Sequence, residues 1–187
     1  MTTPLVLILL GTLCRVVPHP PNAVALGALA LFAGAKLPRR WAWLVPIASM
    51  LLADLWLDWG KESAITVSRA TIYGTYAAIA LLLGPLARRP RGPVAVPALG
   101  LLSLSASSLF FLTTNFAEWI AGPLKLYPIT PAGLAACYAS AIPFFDNTIA
   151  ADLVGVVVLF GLDALARRVA EGRRAKAVAT AELADAA

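Results

Sequence analysis

Six runs of apolar residues follow one another along this chain, at about 3–17, 22–37, 41–58, 67–87, 94–114 and 144–166. Charged residues are scarce within them and collect between them. A helix needs ~20 mostly apolar residues to cross a bilayer. The pattern predicts an all-α, polytopic membrane protein with six transmembrane helices. The first two runs are short and need tilt or help from their flanks. Proline marks the joints: Pro18, Pro20 and Pro21 make a rigid turn after the first run, and "KLPRR" and "RRPRGP" end the second and fourth. Proline removes a backbone donor and restricts the residue before it.

One stretch fits no crossing. Residues 131–142, "PAGLAACYASAI", are apolar but too few to span. They are expected to form a short outer-side helical excursion between helices five and six, with Pro143 separating it from helix six. Re-entry into the membrane is permitted only where other helices shield the backbone. The chain then reads as a single six-helix domain over 1–170, followed by a flexible cytoplasmic tail over 171–187.

Composition points the same way. The chain has 187 residues, is 60% hydrophobic and 13% charged, and has a mean hydropathy of +0.81. Soluble proteins are about half apolar and about a quarter charged. The lipid bilayer is the expected solvent, and little is left for a soluble domain. The first run has no basic residue before it and no small-residue cleavage site, so it reads as a retained helix. Cys14 and Cys137 both sit in apolar surroundings and give no disulfide framework.

The net charge is +5, and its placement decides orientation. Basic residues cluster at Lys36/Arg39/Arg40, at Arg88/Arg89/Arg91 and at Arg167/Arg168/Arg173/Arg174/Lys176. Positive loops favour the cytoplasm. The three clusters share one side if six helices cross and both termini are cytoplasmic. No continuous basic face is visible, so nucleic acid is excluded as a partner.

Under this topology the polar residues gather in one outer layer. Arg15 ends the first helix, and His19 and Asn22 lie in the turn after it. Asp54 and Asp58 are one turn apart on the third. Arg69, Tyr73 and Tyr76 share a face of the fourth. Asn115, Glu118 and Trp119 close the fifth. Tyr127 lies in the following connection, and Asp146, Asn147, Thr148 and Asp152 open the sixth. An ionisable group in a membrane helix costs ~2.5–3.5 kcal/mol on insertion scales and normally faces the protein interior or a wet cavity. Two readings stay open. The layer encloses a pocket, or it holds helices together, for instance through an ion pair between helices one and three. His19 has no second ligand at metal spacing, and neither a metal nor a cofactor is expected. The Ala23/Gly27/Ala30/Gly34 stripe serves internal packing or docks a second membrane protein.

The stretches "RVVPHPPNAVALGALALFAGA", "LVPIASMLLADLWLD", "FFLTTNFAEWIAG" and "YPITPAGLAACYASAIPFFDNTIAADL" resemble a bacterial family of proposed membrane transport proteins, DUF6580. The resemblance runs from about Arg15 to Gly161 and implies a bacterial cytoplasmic (inner) membrane. The family is in turn distantly similar to the S components of energy-coupling-factor vitamin transporters, six-helix proteins that bind a vitamin near the outer face. Carried across position by position, the resemblance marks Arg15, His19, Asn22, Asp54, Asn115, Trp119, Tyr127, Asp146, Asn147 and Asp152. S components present a small-residue motif on helix one to an energising partner. Here helix one is "LVLILLGTLC", without Ala-x-x-x-Ala. Both a separate energising module and a solitary transporter stay open.

Three functions follow. The first is transport, or membrane-embedded binding, of a small polar solute such as a vitamin or cofactor precursor. Arg15 or Arg69 would meet an anionic group. Asp54 or Asp152 would meet a cationic one, and Tyr127, Phe144 and Phe145 would cover an apolar part. Asn22, Asn115, Glu118, Trp119, Asp146, Asn147 and His19 complete the candidate site. ATP-driven uptake would need another polypeptide, since no Gly-x-x-x-x-Gly-Lys loop is present. The second is a structural or assembly subunit. The third, an intramembrane enzyme using paired aspartates, lacks the expected sequence contexts around "LADL" and "AADL". The chain is therefore expected not to be an enzyme.

Overall fold

The structure is a computed structural model that describes residues 2–59, 66–88, 92–122 and 124–185. It is 86% helical, with no strand among the described residues. The helices are α1 (Thr2–Val16), α2 (Leu26–Lys36), α3 (Arg39–Ala42), α4 (Leu44–Leu57), α5 (Val67–Ala78), α6 (Ala95–Ala121) and α7 (Pro131–Asp185). A π-helical turn at Ile79–Leu83 and a 3-10 turn at Gly84–Arg88 extend α5, and another 3-10 turn at Gly92–Val94 leads into α6. Arg39–Leu57, Val67–Arg88, Ala95–Ala121 and Pro131–Ala177 are long and apolar enough to cross a bilayer, while α1 and α2 are shorter apolar helices. Helical segments thus coincide with all six apolar runs, two of them below full spanning length.

Large apolar side chains cover the outside. Leu55 is 66% exposed and Val157 72%, values suited to lipid rather than water. Trp41 and Trp43 are exposed at one end of α3–α4, and Trp56 and Trp59 at the other, where interfacial aromatic belts form.

Side-chain pairs show which helix ends meet. Arg15 at the end of α1 joins Asp54 near the end of α4. Ser68 at the start of α5 joins Glu118 near the end of α6, and Asn147 on α7 reaches Pro21 in the α1–α2 turn. Lys36 and Asp163 meet at the opposite end. Successive long segments therefore alternate in direction.

Residues 131–142 are not a separate excursion. They are the first turns of α7, which continues unbroken through Pro143. Proline deprives the Ala139 carbonyl of its usual helical donor. Ending the helix in lipid would strand several backbone groups beyond the reach of water, so the single lost bond is the smaller cost. The helix also carries on across residues 171–185.

The centre of the bundle is α2. Every residue from Leu26 to Ala35 is buried, so this helix is apolar all round rather than on one stripe. Leu26, Leu29, Leu31 and Phe32 join Val45 and Met50 of α4, Tyr76 and Ile79 of the α5 stretch, and Val156 of α7 in one core. Glycine permits the closest approach. A Cβ on Gly34 would overlap the Ala80 carbonyl and the Gly84 Cα, so the two backbones touch. The π and 3-10 turns lie here, next to Pro85, whose missing N–H breaks the regular α-helical ladder.

Gly34→Ala should therefore push α2 off the α5 stretch and lower stability by about 1–3 kcal/mol. Gly100→Ala is the control, because nothing lies within 4 Å of a Cβ there. Thermal unfolding in detergent compares the two, and equal midpoints would refute the backbone contact.

Candidate functional site

Polar side chains at the Arg15 end of the bundle divide into three groups. The first is an ion network that ties α1, α4 and α5. Arg15 donates to Asp54 Oδ1 through Nη2 at 2.7 Å and through Nε at 3.2 Å. The Tyr73 hydroxyl donates to Asp54 Oδ2 at 2.5 Å. Arg69 donates to Asp58 at 2.8 Å and its Nε lies 3.8 Å from Asp54. Two arginines face two aspartates, so the cluster is close to neutral. The i, i+4 spacing of Asp54/Asp58 and of Arg69/Tyr73 places each pair on one helix face.

The second group is a cap. α2 begins without a side-chain N-cap of its own. Asp152 of α7, only 1% exposed, accepts from the Ala28 amide at 2.9 Å and from the Ser107 hydroxyl of α6 at 2.8 Å. A carboxylate at a helix N-terminus satisfies orphan N–H groups and complements the macrodipole. Gly27 leaves the room for it, since a Cβ there would overlap the carboxylate.

The third group lines a cavity of about 350 Å³ between α5, α6, α7 and the α1–α2 turn. Ser68 and Ile72 come from α5, Phe110, Phe111, Thr114, Asn115 and Glu118 from α6, and Ala141, Phe144, Phe145 and Thr148 from α7; Asn22 comes from the turn. The i, i+4 spacing of Phe111 and Asn115 and the i, i+3 spacing of Asn115 and Glu118 bring α6's polar and aromatic residues to one side. Phe111 and Phe145 stack with centroids 4.4 Å apart. Glu118 accepts from the Ser68 hydroxyl at 2.9 Å. Asn22 adopts a left-handed φ of 59°, which asparagine tolerates better than most residues, and its carbonyl accepts from Thr148 at 3.3 Å.

The sequence candidates are distributed among these groups. Asn22, Asn115 and Glu118 reach the cavity. Arg15, Asp54 and Arg69 form the ion network, and Asp152 forms the cap; none of these four lines the cavity. His19 is exposed beside the Pro20 and Arg15 carbonyls. With Asn147 it borders an apolar groove between α1, α2 and α7. Trp119 donates to the Pro128 carbonyl at 2.9 Å. Tyr127 is half-buried in the α6–α7 connection, and Asp146 is exposed on α7. Neither borders the cavity.

Ser68, Thr114 and the aromatic pair Phe110/Phe111 were not singled out from the sequence. Their only signal was the i, i+4 continuation of Phe111 and Thr114 toward Asn115 and Glu118. The stripe on α2 serves internal packing at Gly27 and Gly34, and Gly155 of α7 abuts Ala25 and Ala28. No group of three or more His, Cys, Asp or Glu able to hold a metal occurs among the described residues.

Long apolar helices with a lipid-suited exterior and a polar, aromatic cavity at one end are those of a helical membrane protein. The chain belongs to the family of unknown function DUF6580, whose profile matches residues 1–176. No curated protein and no solved structure matches it.

If Asp152 is the cap of α2, Asp152→Ala strands two donors and should cost about 2–3 kcal/mol. Asp152→Asn keeps an acceptor oxygen and should cost less. Chemical unfolding in detergent measures both, and an Asp152→Ala protein as stable as the parent would rule the cap out.

Proposed function

We propose that this chain binds a small polar solute within the membrane and serves its transport, either alone or as the substrate-binding subunit of a larger transporter. The observation that carries the reading is the cavity. It combines four phenyl rings with Asn22, Ser68, Thr114, Asn115, Glu118 and Thr148. Its size falls at the small end of the ~300–1,000 Å³ usual for ligand sites, and ligand sites are mostly apolar with a few convergent polar groups. A bundle that needed only to pack would fill such a space with side chains.

The basic residues at the opposite end, among them Lys36, Arg39, Arg40, Arg88 and Arg167, support placing that end at the cytoplasm of a bacterial inner membrane. Both termini would then be cytoplasmic and the cavity would lie toward the outside. A role like that of the S components of vitamin transporters, which the sequence resemblance implies, would be compatible with this arrangement. Energy would come from a partner module or from a coupled gradient.

A structural or assembly subunit is the second reading. It is favoured by Asp54 and Asp152, whose carboxylates are both engaged by protein groups. Transport chemistry on these two aspartates would have to break those bonds.

Thermal stabilisation of purified protein across a library of vitamins, cofactor precursors and other small solutes separates the readings. A ligand at a hundred times its Kd should add ~2.7 kcal/mol. Ala141→Leu, which fills the cavity, should abolish that gain while the unliganded protein still folds. A broad library without one stabilising compound would favour the structural reading, and a gain that survives Ala141→Leu would place the binding site outside this cavity.

A further inference from the structure

The charge within the cavity narrows what it can hold. Among the described residues Glu118 is its one acidic side chain, and no described Lys, Arg or His lines it. Among the described residues no basic nitrogen lies within 4.0 Å of the Glu118 carboxylate. Both arginines at this end, Arg15 and Arg69, are turned to Asp54 and Asp58. The Ser68 hydroxyl and the first turn of α5 stabilise the carboxylate without neutralising it. Gly122 gives it room, because a Cβ there would overlap the Glu118 carboxyl group.

The remaining lining selects further. An anion would meet Glu118 with no compensating cation among the described residues. A neutral apolar ligand would cover a carboxylate and leave it without a counter-charge, which is costly. A bare metal ion prefers several oxygen ligands, six or more for calcium, and here a single carboxylate stands among phenyl rings. An organic cation satisfies both parts of the lining. Its charge pairs with the carboxylate, and aromatic faces attract cations as well as apolar surface.

We propose that the cavity takes an organic monocation, with its charged nitrogen at Glu118 and its apolar body among Phe111, Phe144 and Phe145. This assigns a substrate class to the solute-binding reading and rests on it.

Charged thiol reagents test the two claims separately. Ala141→Cys places a thiol in the cavity wall, in a chain with Cys14 and Cys137 replaced by serine and alanine. The reagents are the trimethylammonioethyl and sulfonatoethyl methanethiosulfonates, each rate divided by its rate with free glutathione. The cationic reagent should react at least tenfold faster, and Glu118→Gln should bring the ratio close to one. Equal corrected rates, or a faster anionic reagent, would overturn the cation assignment and leave a solute cavity standing. Labelling by neither reagent would overturn both. Should the cysteine variants fail to fold, the unaltered chain is tested by thermal stabilisation. The probes are tryptamine, its neutral analogue tryptophol and the anionic indole-3-acetate. Strongest stabilisation by tryptamine supports the assignment; any other order, or none, counts against it.

Discussion

An eleven-residue helix covers only about 16 Å, roughly half the hydrocarbon core of a bilayer. A helix this short cannot place its two ends at the two membrane surfaces, and its first N–H and last C=O groups need partners within the protein. Two distant side chains supply what the solvent withholds. Asp152 of α7 accepts at the N-terminus, and Arg88, at the close of the α5 stretch, donates to the Gly34 and Leu37 carbonyls at 2.8 Å each. Negative charge stands at the positive end of the dipole and positive charge at its negative end. The rest of the bundle wraps a helix that its neighbours complete. The α1–α2 turn is held in the same manner, by Asn147 on the Pro21 carbonyl and Thr148 on the Asn22 carbonyl.

The polar end of the bundle does two different jobs on adjacent faces of α5. Arg69 and Tyr73 turn toward Asp54 and Asp58, where opposite charges nearly cancel. Ser68 and Ile72 turn toward the cavity, where Glu118 has no basic partner among the described residues. Cancellation on one face lets Asp54 be buried at modest cost. The carboxylate on the other is what the proposed cation would meet.

Helix class and the position of the spans were legible because hydropathy is a property of each residue, and the backbone must satisfy itself in lipid. The ion pair between Arg15 and Asp54 was also legible, as one of two alternatives, since few partners exist for an intramembrane arginine. The fate of Pro143 was not. Read by the rules of water, proline ends a helix; in lipid the helix continues through it. Asp152 was visible as a charged residue in an apolar run, but its partner is a backbone amide 124 positions away, which no side-chain pattern encodes. The cavity was half visible. Asn22, Asn115 and Glu118 announced themselves by polarity, whereas Phe110, Phe111 and Ser68 look like ordinary membrane-helix residues until neighbouring helices surround them.

The adjacency of Ser68 and Arg69 has a mechanical side. One wall of the cavity is the first turns of α5, and the next residue along is bolted to α4 through Asp58. The wall cannot swing outward without stretching that ion pair and the Tyr73–Asp54 bond with it. The stiffness of the chamber is thereby set from outside it, by charges that never meet its contents.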